Sequence, residues 1–169
     1  MVTAVESRTV ESLFLRHDGR YHEALTVQHG LAAEFPRDYL FRLEEANLTK
    51  DEGNGPAAIA LYKVVLADAA KPGYFIDQRL QLAWFGLADT ERGQNDIADA
   101  AENYAKAADQ RECSDWLRKR AQLNAGEMYD LLHQRDKAVA LYRLASAGGG
   151  DQSQADAARR LMKTPYVGK

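Results

Sequence analysis

The sequence predicts an all-α fold, an array of antiparallel helix pairs, on three observations. Apolar residues recur at three- and four-residue intervals through segments rich in Ala, Leu, Glu, Arg and Gln, which is the spacing of one helix face. The four prolines, Pro36, Pro56, Pro72 and Pro165, stand between those segments or beyond the last. An alanine pattern also repeats with a period near 34 residues. No stretch combines β-branched enrichment with strict alternation, so no sheet is expected.

The boundary signals divide the chain into about nine helices. Asp38 is placed to cap a helix after Pro36, and Gly53-Asn54-Gly55-Pro56 reads as a helix stop followed by a proline in the next first turn. Lys71-Pro72-Gly73 is a second break. Gly93 ends the helix containing Trp84 and Asp96 begins the next; Ser114 is a good N-cap for the segment through Trp116. Gly148-Gly149-Gly150 is a stop, and a last amphipathic helix is expected over residues 153–162.

The repeat carries most of the weight. Trp84, Leu87 and Ala88 are followed by Ile97, Ala100, Tyr104 and Ala107. A second copy has Ala125, Gly126 and Tyr129, then Ala138, Tyr142 and Ala145. Ala46, Ala58, Tyr62 and Val65 match in part. Gly19, Tyr21, Ala24, Leu31 and Pro36 are in frame too, although Arg8, Glu11 and Gln28 stand where large apolar residues are usual. Ala24 to Ala58 is 34 residues, Ala58 to Ala100 is 42 and Ala100 to Ala138 is 38. The excess predicts a third A helix lengthened near residues 71–80 and a fourth lengthened around residues 115–119. Small side chains let the two helices of a pair approach closely while aromatics fill the space between pairs.

These residues resemble the tetratricopeptide repeat family from about Thr9 to Ala147. The resemblance implies a right-handed superhelical solenoid of about four helix pairs in a single domain spanning 1–169. The repeats fall at approximately 5–36, 38–70, 74–110 and 114–148, with a capping helix at 153–162 whose Arg159 and Arg160 supply the polar outer face of a terminal repeat. It also implies a binding scaffold whose A helices line a concave groove. The inward positions in this frame are Leu13, Arg16 and His17; Leu40, Leu43, Asn47 and Lys50; Leu82, Phe85, Asp89 and Arg92; and Arg120, Leu123, Asn124 and Glu127. An apolar stripe with a polar rim suits capture of a peptide or protein segment bearing apolar anchors. In a narrow groove the same leucines would instead pack against neighbouring A helices. One subclass of the family clamps a terminal carboxylate from set A-helix positions. Those positions here are Thr9, Leu13, Glu44, Asn47, Leu82 and Gly86, of which Asn47 alone is compatible, so the expected partner offers apolar anchors instead.

Composition bounds the alternatives. Of 169 residues, 46% are hydrophobic and 28% charged, as in ordinary folded proteins, and the net charge of −3 gives no basic face to expect nucleic acid. Cys113 is the single cysteine, so neither an internal disulfide nor a Cys-based zinc site can form. Beside Arg111 and Glu112 at a helix start its thiolate could be mildly stabilised, although a cysteine in a turn needs no such role. His22 and His29 share a helix face without a matched third ligand and read, like His17 and His133, as solvated side chains. The glycine clusters lack a preceding strand and a following Lys-Ser or Lys-Thr, so they are turns and not phosphate cradles. No nucleophile, base and oxyanion site assembles, and neither enzymatic activity nor a cofactor is expected. No apolar run is long enough to cross a bilayer and no signal-peptide core follows the N-terminus, so the expectation is a protein without membrane insertion, in the cytoplasm. Alternatives to the scaffold are a self-associating homo-oligomer, through an exposed end or residues 1–10 in a neighbour's groove, and an accessory subunit of a larger enzyme or envelope-assembly complex.

Overall fold

A computed structural model describes residues 3–71, 80–111, 113–148 and 152–168. Among them all regular structure is helical: α1 (Ala4–His17), α2 (Tyr21–Glu34), α3 (Tyr39–Asp51), α4 (Gly55–Ala69), α5 (Leu80–Gly93), α6 (Ile97–Asp109), α7 (Asp115–Leu131), α8 (Arg135–Ser146) and α9 (Gln152–Lys163). The chain forms two compact units, residues 1–76 with α1 to α4 and residues 77–169 with α5 to α9. Within each unit every helix packs on the next, and α9 also touches α7.

The helix starts follow local chemistry. Thr3 and Glu6 form a reciprocal capping box at α1. Asp38 accepts from the Leu40 amide, Asn54 from Ala57 ahead of Pro56 in the first turn of α4, and Ser114 from Leu117. The lengthening expected around residues 115–119 is seen in α7, which at 17 residues is longer than the other described helices. The lengthening expected near residues 71–80 falls largely on 72–79, outside the described residues. Glu112, Gly149 and Gly150 lie outside them as well.

The repeat is written into the backbone. Each A helix ends with a residue in the left-handed region: Gly19 (φ 74°), Gly53 (95°), Asn95 (66°) and His133 (58°). These residues are separated by the same 34, 42 and 38 positions as Ala24, Ala58, Ala100 and Ala138. At each turn two hydrogen bonds close the helix, as in Arg20 N–H to Leu15 C=O with Gly19 N–H to Arg16 C=O. The pattern recurs at Asn54 to Thr49, Asp96 to Glu91 and Gln134 to Tyr129. One turn geometry thus sets the A-to-B reversal four times, and a non-glycine residue accepts the left-handed strain twice.

Packing repeats with the same period. The B-helix alanines are fully buried, and the residues four positions on, Gln28, Tyr62, Tyr104 and Tyr142, are buried with them. Facing them in the A helices stand Ser12, Ala46, Ala88 and Gly126, all buried. In the α7–α8 pair the approach is so close that a Cβ on Gly126 would lie 2.4 Å from the Tyr142 ring. Gln28 departs from the tyrosine pattern by sending its amide to the Phe41 carbonyl at 2.9 Å. Helix α9 closes the second unit by burying Ala155 and Ala158, the latter in one cluster with Ala138, Tyr142 and Ala145, while Arg159 and Arg160 stay exposed.

Gly126→Ala tests this contact. Alanine is the better helix former by about 1 kcal/mol, but overpacking a fully buried ring costs about 1–3 kcal/mol. A net loss of up to about 2 kcal/mol in urea unfolding is expected. Gly30 in α2 has open space around its Cβ direction, so Gly30→Ala in the same assay should stabilise by about 0.5–1 kcal/mol.

Candidate functional site

The A-helix positions expected to face inward separate into rows of different exposure. In one row Leu43 and Leu123 are buried, at 5% and 4% exposure, and Phe85 is half-buried with its ring edge-on to Tyr104 at 5.2 Å. Leu123 and Phe85 pack in core clusters of the second unit, and at this burial Leu43 and Leu123 offer little surface to a partner. Asn124 is likewise buried. The reason is geometric: a helix held between two neighbours keeps only a narrow strip open, and the frame expected a wider one. The adjacent row stays out, with Leu40 half-buried, Leu82 45% exposed and Arg120 exposed.

The polar positions divide by partner. In the first unit Arg16 of α1 reaches Glu44 of α3 at 2.5 Å and Asp51 at 2.6 Å. Burial works against its charge, but the two carboxylates outweigh that and hold the guanidinium pKa above its ordinary value. Arg42 pairs with Asp68 of α4. In the second unit Arg92 of α5 reaches Glu127 of α7 at 3.1 Å, so these two A helices present one continuous face. Again burial opposes the charge and the neighbouring acid prevails. Pairs this open contribute about 0–1 kcal/mol each and serve chiefly to fix alignment. Lys50 is half-buried near the end of α3, and His17 is exposed at the end of α1.

Within each unit the B-helix tyrosines reach polar residues of the A helices. The hydroxyl of Tyr62 donates to Asn47 at 2.7 Å, that of Tyr104 to Asp89 at 3.2 Å and that of Tyr142 to Asp130 at 2.9 Å. Asn47 also donates to Glu44, which ties up the one position compatible with a carboxylate clamp. Burial, reinforced by the acid partners, pushes the Tyr104 and Tyr142 hydroxyl pKa values well above the usual tyrosine range, so both stay protonated donors. In the fourth pair the accepting acid is Asp130, one helical turn beyond the frame position held by Glu127. The side chain of Asp130 is 1% exposed and also takes Arg135 at 2.9 Å. Arg135 then donates to the Leu161 and Met162 carbonyls at the end of α9.

Tyr166, Trp116, Val10 and Phe14 are exposed or half-buried residues that the repeat frame did not single out. Past α9 the chain turns back across the second unit. The Tyr166 amide donates to Asp130 at 2.8 Å, its hydroxyl accepts from Arg92 at 3.1 Å, and its ring lies 5.9 Å from the Arg92 guanidinium carbon. Trp116 in the first turn of α7 is 56% exposed. On α1, Val10, Leu13 and Phe14 lie exposed at i, i+3 and i+4, with Phe14 at 66%. Phe14 also lines a surface pocket of about 540 Å³ with Leu15, Arg20 and Val27.

Cys113 is buried, with its thiol against the Ser114 carbonyl at 3.6 Å. Burial raises its pKa more than nearby Arg118 lowers it, which removes the stabilised thiolate that its sequence neighbours had suggested. His29 meets Glu45 and His22 meets Glu52, so the two rings are drawn to different acids. Among the described residues no group of three or more His, Cys, Asp or Glu side chains could hold a metal ion, and no helix is long and apolar enough to cross a membrane.

Comparison with known proteins defines the class. No protein-family model matches the chain, and no curated protein matches it. Solved structures do. MamA superposes with a TM-score of 0.67 at 16% identity over 96% of this chain and 92% of that one. A Podosopora anserina putative kinesin light chain with nearly identical TPR-like repeats superposes with a TM-score of 0.69 at 14% identity, over 94% and 83%. The chain therefore has the TPR-like, all-α helical-repeat fold. At these identities the likeness speaks for fold alone.

Proposed function

We propose that the chain is a protein-interaction scaffold that takes a segment of a protein partner on its A-helix faces. The supporting observation is Leu82. It lies 45% exposed in the first turn of α5, a large apolar side chain open to solvent. Beside it run the exposed Asp89 and the half-buried Phe85 and Arg92, and α7 adds the exposed Arg120 and the half-buried Glu127. An apolar anchor point flanked by charges of both signs suits an extended or helical peptide whose own charges set its register. The first unit repeats the pattern with Leu13, Leu40, Arg16, Asn47 and Lys50. The TPR-like fold of the neighbours fits this reading.

The test uses surface positions, because a charge at Leu43 or Leu123 would unfold the unit. Leu82→Asp and Arg120→Glu should each leave the thermal melt within about 0.5 kcal/mol of the parent. Each should weaken a partner isolated with the parent chain by about tenfold or more, as expected for an anchor worth over 1 kcal/mol. Undiminished capture by both variants would place binding elsewhere.

Self-association is the second reading, supported by the α1 patch. Val10, Leu13 and Phe14 form an apolar surface on the first helix of the array that a second copy could cover. It predicts a concentration-dependent dimer in light scattering that Phe14→Glu returns to monomer. A parent chain that stays monomeric at high concentration would exclude it.

A further inference from the structure

The strip on the second unit is already occupied by the chain itself. After α9 ends at Lys163, residues 164–168 run without helical structure. Thr164 and Pro165 are exposed, Tyr166 is half-buried, Val167 is 86% exposed and Gly168 is half-buried. Tyr166 is thus the one side chain of the segment turned down among exposed neighbours, and at Gly168 (φ 82°) the backbone leaves the extended region. Tyr166 packs against the cluster that contains Ala88, Tyr104 and Met128. Its two polar groups meet Asp130 and Arg92, the latter a residue of the A-helix face and itself paired with Glu127. A segment held by one aromatic anchor, one backbone hydrogen bond and one hydroxyl contact has the features of a bound peptide, not of a core element.

We infer that residues 164–168 are a tethered ligand of the second unit, and that the same strip accepts from a partner a non-helical segment carrying a tyrosine, which must displace the tail. The inference rests on the scaffold reading above and specifies the chemistry of its ligand. Three features set that chemistry. The guanidinium of Arg92 offers both a donor to a phenol oxygen and a cation to the ring face, and so favours tyrosine over an aliphatic side chain. The Asp130 carboxylate accepts the backbone N–H of the anchor residue, which proline lacks, so proline is disfavoured there. The outward Pro165 and Val167 leave the flanking positions free in identity. A short tether supplies its ligand at an effective concentration on the order of millimolar, which suppresses weak competitors and yields to a partner with further contacts.

The probe is a fluorescein-labelled peptide of residues 162–169, Met-Lys-Thr-Pro-Tyr-Val-Gly-Lys, titrated against the full-length chain by anisotropy. Tyr166→Ala in the chain releases the tail's anchor and should raise peptide affinity by about tenfold over the parent. The peptide with alanine for its tyrosine should bind neither, and adding Arg92→Ala to Tyr166→Ala should abolish binding. Equal binding to parent and Tyr166→Ala chains, or none to a Tyr166→Ala chain that still melts cooperatively, would overturn the inference. Amide hydrogen exchange on the unaltered chain keeps the test decisive if that variant unfolds. The Tyr166 and Val167 amides should exchange about a hundredfold faster than those of central α7, because the tail opens without the unit. Protection equal to that of α7 would make the tail part of the core. Failure on either count leaves the response of partner capture to Leu82→Asp unchanged, so the scaffold reading is judged separately.

Discussion

The close approach of the two helices in each pair is the constraint on which the other features depend. It needs a small residue in the A helix, at Ser12, Ala46, Ala88 or Gly126, opposite the side chain four residues past the B-helix alanine. It also needs a turn tight enough to bring the B helix back at once, which the left-handed residue closing each A helix supplies. With the backbones that near, a tyrosine ring fills the space between pairs and its hydroxyl reaches the far side of the A helix. There Asn47, Asp89 or Asp130 must meet it, because a buried phenol without a partner is costly. The polar residues of the A-helix strip are thus partly structural before they meet any ligand.

That double duty explains how the strip is organised. Its acids answer tyrosines from beneath and arginines from the side, as Glu44 and Asp51 answer Arg16 and Glu127 answers Arg92. Such contacts fix the side chains in one arrangement, so a ligand meets a preorganised surface and spends less on ordering it. The same units also expose apolar side chains, Leu82 and Trp116 in the second and Leu13 and Phe14 in the first, and the second exposes Arg120.

The fold was legible because its determinants are local and periodic. Ala24, Ala58, Ala100 and Ala138 announce the repeat, and the caps at Asp38 and Ser114 and the stops at Gly53 and Gly93 lie within a few residues of what they control. The uneven period was legible too, and in α7 it became about one extra turn. The site was read less well. A frame position says which way a residue leaves its helix, but not whether a neighbour covers it, and so Leu43, Leu123 and Asn124 were expected in a groove and lie in the core. The repeat also says nothing about the acid that shifts one turn to Asp130. Tyr166 was invisible for another reason: its contacts span 36 residues to Asp130 and 74 to Arg92, and nothing periodic links them. A tyrosine beside Pro165 beyond the last helix was the one available signal.

The central claim, that partners are met on the A-helix strip, is tested most directly by site-specific photocrosslinking. A photoreactive amino acid replaces Leu82 on the strip of α5 in one chain, and the exposed Arg143 of the B helix α8 in another. Both chains are irradiated in the same native extract. The account predicts a discrete crosslinked protein from position 82 that is absent from position 143 and lost when unlabelled parent chain is added in excess. Crosslinking from position 143 with none from position 82 would contradict it.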